Sequence, residues 1–371
     1  MTFKMYAFRV ALFAAALGYF APGVSQALPP DMVAKGWEDR IRLAIVKISN
    51  TDFEDGLKII DEYIKANPGR GDGYFYYAAG VQEKIQKLND LSDLKRFSNH
   101  SNTGIEILER ALAKNPNDTI SRMYLGAMYG YMGLLEARQR NMLQAFMDAV
   151  EAKKNLERAM AERPDIPDIY FGLGMIYYFA SRKSAEEGGM TAWVITKFIT
   201  NGRDMRKEGV EMIRRAVEGK SLSEDYARAA LMWISLYEKN YPRARDLGEY
   251  IAVKFPRDAG SRWVLGRVAL VYKDCSTAQH NFSGAMDILK KRGVPDGNYR
   301  DVGVALQFAE LCEGMERQQW EFSEKTLMRI DDWLKNDKKI TLEYQDEKNL
   351  LSQWRKDVDV ARKSMRFIRG E

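Results

Sequence analysis

Histidine and cysteine are almost missing from this chain, with two of each in 371 residues. His100 and His280 stand alone, without the spaced His, Cys or carboxylate neighbours that a zinc site needs. No GxSxG, HExxH, GxxxxGKS or GxxxxGKT stretch occurs, so nucleophile-elbow hydrolysis, zinc proteolysis and phosphate cradling find no support. The acidic pairs Glu186-Glu187 and Asp331-Asp332 are adjacent, and adjacent residues on a helix face different ways. The reading is a non-enzymatic chain with no catalytic residue, no metal and no cofactor. Cys275 and Cys312 admit one intramolecular bond, which an exported chain would be free to form. The alternative is two buried small side chains, and both readings stay open.

Long apolar runs are scarce too. Val10–Ala21 is too short to span a bilayer, follows Lys4 and Arg9, and precedes Ser25-Gln26-Ala27. This predicts a secretory signal peptide over 1–27, cut after Ala27, and an exported, periplasmic protein. No cysteine near the site provides a lipid anchor, and no later run is long enough to be transmembrane. Charge of one sign is lacking as well: 57 Lys and Arg face 52 Asp and Glu. That balance leaves no electrostatic footprint for nucleic acid.

Proline is sparse, ten in all, and four share a register: Pro68, Pro116, Pro164 and Pro256, spaced 48, 48 and 92 residues. Nine residues past each stand Tyr77, Leu125, Leu173 and Leu265, followed by Ala78, Gly126, Gly174 and Gly266. Twelve residues before each stand Gly56, Gly104, Ala152 and Ala244. Large and small apolar residues at helical offsets make one helix face, where the small residue admits a neighbouring backbone. Proline cannot continue a helix interior, so it marks where each pair of helices ends. Self-similarity at this period is the mark of a helical solenoid.

At TGIEILERALAKNP, EAKKNLERAMAERP and IYFGLGMIYY the chain resembles the tetratricopeptide repeat (TPR) family. The resemblance covers Trp37 to Arg292, with a weaker echo to Leu334. Leu134–Ala180 with NGRDMRKEGVEMIRRAVEGK is similar to a group of exported bacterial TPR proteins of unassigned function. Spacings of 48 rather than the family's 34 predict longer helices, of about 20 residues. The resemblance implies an all-α, TPR-like α-solenoid, a right-handed superhelix of about six to seven antiparallel helix pairs with a C-terminal capping helix. The repeat array is expected over 28–293, with an insert at 180–205, and a C-terminal repeat and cap over 294–371. In detail, the sequence predicts a glycine-rich turn at Gly69–Gly73, a polar linker including Ser98–Asn102, and a closing helix over Leu342–Ile368.

TPR stacks line a concave groove with the outer positions of their first helices. Here those positions carry Phe75, Met123, Tyr131, Phe171, Met175, Tyr178, Phe179 and Trp263, joined by Tyr226, Trp233 and Tyr237. One reading makes them an aromatic binding groove; the other has them buried against one another or under the insert. Phe171, Met175, Tyr178, Trp233 and Trp263 are expected to line one concavity, closed by Ala180–Met205. The apolar segment Met190–Ile199 suits a membrane surface, a partner helix, or packing on its own chain. The expected function is a scaffold holding a protein or peptide partner in the groove. The alternative is an accessory binding protein for a small apolar ligand, working with an envelope transporter.

Overall fold

Two kinds of turn, alternating along the chain, cut it into helices. In the computed structural model residues 32–187, 189–219, 221–295, 299–336, 352–360 and 363 are described. The expected signal peptide and most of the expected closing helix lie outside them, although 352–360 is helical. The helices are α1 (Glu38–Ser49), α2 (Phe53–Ala66), α3 (Gly71–Lys87), α4 (Leu94–Lys114) and α5 (Thr119–Arg138). They continue as α6 (Met142–Glu162), α7 (Pro167–Glu187), α8 (Gly189–Phe198), α9 (Arg206–Glu218) and α10 (Glu224–Tyr237). The last five are α11 (Tyr241–Lys254), α12 (Ala259–Val271), α13 (Cys275–Lys291), α14 (Arg300–Glu316) and α15 (Trp320–Asn336). No strand occurs among the described residues, and no helix among them is long and apolar enough to cross a membrane.

The first kind of turn joins the two helices of a pair. One residue takes a left-handed conformation at Thr51, Asn89, Arg140, Lys239, Lys273 and Gln318, with φ between 49° and 70°. The next amide reaches back to close the helix end: Asp52 N to Lys47 O at 2.8 Å, Asn141 N to Glu136 O at 2.9 Å, Asp274 N to Ala269 O at 2.9 Å. This is the Schellman closure, here made without glycine. At Thr51, Arg140, Lys239 and Lys273 an Asp or Asn follows and opens the next helix, as Asp274 does by accepting from Thr277 N at 3.1 Å.

The second kind joins successive pairs and carries the register prolines. Two residues past Pro116 and Pro256, Asp118 and Asp258 cap α5 and α12, accepting from Ser121 N (3.0 Å) and Ser261 N (2.6 Å). At the third such turn Pro167 is the first residue of α7, where its missing N–H costs nothing.

The helices form an α-solenoid built on packing between helices near one another in sequence. The most extensive contacts join α5 with α6, α7 with α9, α12 with α13, α3 with α4, and α1 with α2. First helices also meet first helices, α1 with α3, α3 with α5, and α5 with α7. The repeat glycines sit where the register places them, each against the second helix of its own pair. A Cβ on Gly126 would meet Leu156 Cγ at 2.8 Å, one on Gly174 would meet Gly209 O at 2.7 Å, and one on Gly266 would meet the Phe282 ring.

Two local expectations are corrected. Ser98–Asn102 is no linker but part of α4, because Phe97, Ser101, Gly104 and Leu108 form a buried stripe at helical spacing. Gly71 and Gly73 lie inside α3 rather than in a turn, pressed against Leu108 and Tyr63. The insert is largely helical: α7 runs on to Glu187 and α8 follows at once.

The described residues divide into two compact units, one of those from 32 to 235 with Val253–Pro256, the other of Leu236–Ala252 with those from 257 on. The first unit's core includes Ile41, Ile48, Leu57, Ile60, Leu108, Met128, Leu156 and Leu173. Ile199 and Met205 of the insert belong to it. The second unit's core holds Ala278, Phe282, Phe308, Leu311 and Trp354 around a Cys275–Cys312 disulfide, with Cα atoms 5.4 Å apart. The cysteines are therefore both bonded and buried.

Candidate functional site

The first unit gathers aromatic and polar side chains along its first helices. Phe75 and Tyr76 on α3 meet Tyr124 and Tyr131 on α5. The Phe75 ring lies 5.4 Å from Tyr76, 5.1 Å from Tyr124 and 5.7 Å from Tyr131. Tyr124 donates its hydroxyl to the Met32 carbonyl at 2.9 Å, so at the 2.7 Å Tyr76–Tyr124 contact Tyr76 is the donor. Met32 and Val33, from the segment ahead of α1, are buried in the same core. A second hydroxyl reads that segment: Tyr63 accepts from Ala34 N at 3.0 Å while donating to Asp72 at 2.6 Å. Arg70 completes the Asp72 carboxylate at 2.9 Å. Burial holds the phenols of Tyr76 and Tyr124 well above the usual tyrosine range. They serve as neutral donors and acceptors.

Two turns further along α3 is an acidic centre. Glu83 is buried and pairs with Lys87 at 2.8 Å. Tyr226 of α10 donates to it at 3.3 Å. Desolvation raises the Glu83 pKa, against the lowering pull of Lys87 and Tyr226. Tyr226 stacks on Phe171 of α7, ring centroids 6.3 Å apart. Tyr131 belongs to the same neighbourhood, since the Glu83 charge adds to the burial that raises its phenol. Gln82, also buried, keeps Oε1 without a hydrogen-bond partner among the described residues.

The structure thus brings Phe75, Tyr131, Phe171 and Tyr226 into one neighbourhood. Met123 lies in the first core, and Met175 is buried on α7. Tyr178 is buried where α7 crosses α9, its Cβ against Gly209, with Phe179 perpendicular to it at 5.0 Å. Trp233 is buried and Tyr237 half-buried on α10. Trp263 belongs to the second unit, half-buried, with the Arg267 guanidinium 4.6 Å from its ring centre. The insert joins the first unit's core through Ile199 and Met205. Met205 N donates to Ser181 Oγ at 2.8 Å, and the Ser184 and Thr196 hydroxyls pair at 2.7 Å.

Sequence reasoning missed Tyr76, Tyr124, Tyr63, Asp72, Gln82 and Glu83. One signal was available: Tyr76 and Tyr124 both stand eight residues past a register proline.

The groups that sequence reading set aside stay apart from this neighbourhood. The His100 ring stacks on Tyr77 at 3.8 Å, and burial lowers its pKa. His280 is exposed on α13. Cys275, Cys312 and Glu316 come together, but the two sulfurs are bonded to each other. Comparison with protein-family models finds no match, and comparison with curated proteins finds none either.

Proposed function

We propose that this is an exported, non-enzymatic scaffold of TPR type that binds a protein or peptide segment along the first helices of its first unit. The observation that carries the reading is the hold on residues 32–34. Two tyrosine hydroxyls there take a carbonyl and an amide of irregular main chain, in an aromatic setting. Main-chain hydrogen bonds of this kind give affinity for a segment whatever its side chains, and neighbouring pockets add selectivity. The turn chemistry supports the TPR assignment, as does the 34-residue step between the left-handed residues Lys239 and Lys273.

The test is a photo-crosslinking residue at Phe75 in the producing cell, with the envelope fraction analysed after irradiation. A discrete protein adduct that weakens in a Tyr124→Phe background supports the reading; no protein adduct at all defeats it. One observation favours the second reading, an accessory binding protein for a small apolar ligand beside an envelope transporter. Phe171, Met175, Tyr226 and Trp233 are all at least nine-tenths buried, which suits a closed apolar site. A lipid-extractable adduct without protein would select it.

A further inference from the structure

The first unit carries an exposed apolar patch made by two segments that meet. On α8, Met190, Trp193 and Lys197 stand at i, i+3 and i+7, and therefore share a face. Met190 is 75% exposed, Trp193 54% and Phe198 47%. The opposite side of α8 is committed to the protein, since Ile195 packs on the first core and Ile199 just beyond is part of it. The helix is thus fixed with its aromatic face outward. On α6, Met142, Leu143 and Met147 are also exposed, Leu143 at 71%. The Phe146 and Phe198 rings meet edge to face at 5.9 Å and join the two segments.

Charge identifies the occupant. Gln139–Met147 contains Arg140 and no acid, and Gly189–Arg203 contains Lys197 and Arg203 and no acid. Within those bounds the segments are cationic, and the neighbouring acids Asp148, Glu186 and Asp204 are held by Gln144, Arg182 and Arg206. Lys197 Nζ lies over the Trp193 ring, 4.9 Å from its centre, and 5.5 Å from that of Phe198, so the cation sits among the exposed aromatics. Tryptophan, methionine, leucine and phenylalanine on one side, accompanied by cations, is the chemistry that lies in the headgroup region of a bilayer. An acidic protein helix would be a different occupant, and a second copy of the chain would bring cations against cations. We infer that this patch docks the protein on the surface of an anionic phospholipid membrane, without spanning it.

The test is co-sedimentation of the full chain with vesicles of phosphatidylcholine and phosphatidylglycerol, 3:1, and of phosphatidylcholine alone. Every variant retains residues 1–31, so any contribution from them is common to all. Wild type is expected to favour the anionic vesicles and to leave them in high salt. Lys197→Gln should cut partitioning about fivefold, one cation's worth at such a surface. Met190→Glu with Trp193→Glu should cut it by at least about tenfold, while Met328→Glu, on exposed α15, leaves it unchanged. Circular dichroism checks that each variant is folded. Equal binding to both vesicle types overturns the proposal, as does retained binding in the Met190/Trp193 variant. So does a wild-type dimer that this variant dissolves with no vesicle binding in either form, which would make the patch a protein interface.

Discussion

Replacing Gly174 by alanine isolates the contact on which the helix-pair register rests. A Cβ there would stand 2.7 Å from Gly209 O and 2.9 Å from Ile213 Cγ1. The contact is reciprocal, since a Cβ on Gly209 would stand 2.6 Å from Gly174 O and 2.7 Å from Tyr178 N. Two backbones touch, so no rotamer change can relieve the clash, and α7 and α9 must separate by roughly 0.7 Å. Overpacking of this kind costs about 1–3 kcal/mol, against about 1 kcal/mol gained from alanine's better helix propensity. The net expectation for Gly174→Ala is a loss of up to about 2 kcal/mol. Gly130 on α5 is the control, because a Cβ there meets nothing within 4 Å. Gly130→Ala should gain about 0.5–1 kcal/mol from propensity alone. Urea unfolding followed by circular dichroism would read both, with the slope checked for constancy. A midpoint for Gly174→Ala at or above wild type would refute the backbone-contact argument, as would equal losses at the two sites.

Further perturbations reach the rest of the fold. Breaking Cys275–Cys312, which closes a separation of 37 residues, should cost about 3–4 kcal/mol on the chain-entropy account; urea midpoints with and without reductant measure it, and two free thiols in the unreduced, denatured protein would contradict the bond. Burial raises the Asp258 carboxyl to about 6, against the pull of its Ser261 and Gly260 amide bonds. Its contribution is therefore full below about pH 4 and lost as pH rises through about 6, roughly 3 kcal/mol in all. Asp258→Asn keeps the cap and removes the titration, so it should match wild type near pH 4 and exceed it at pH 7; an equal difference at both would rule this out. Lys273→Gly should stabilise by about 0.5–1 kcal/mol by relieving a left-handed residue, and a lower melting temperature would count against the turn geometry. Glu83→Gln should remove a stability term that is full below the ordinary glutamate range and lost at higher pH, because burial raises that carboxyl; pH-dependent unfolding unchanged by the substitution would refute it.

What could be read from the sequence was what local chemistry enforces. Proline stops a helix wherever it falls, so Pro68, Pro116, Pro164 and Pro256 announced the ends of pairs, and Gly126, Gly174 and Gly266 announced the contacts within them. The other turn was hidden because its left-handed residue is not glycine. Arg140 and Lys273 look like ordinary surface cations, and only the Asn or Asp that follows betrays the helix stop. The α4 stripe was hidden because it uses a serine: Ser101 is fully buried between Phe97 and Gly104, and its neighbours Asn99 and Asn102 made the stretch read as polar. The candidate site fails to show for a different reason. Phe75 and Phe171 were reachable from the repeat, but the hydroxyl of Tyr124 finds its partner 92 residues away, and Tyr226 finds Glu83 at a separation of 143. Glu83 and Lys87 at i, i+4 read as a common solvated pair, and only Tyr226 and the neighbouring helices make the carboxylate a buried one. A repeating pattern encodes the interface that every unit shares. The polar contacts in this chain that differ from unit to unit are the ones through which a partner could be distinguished, and periodicity does not display them.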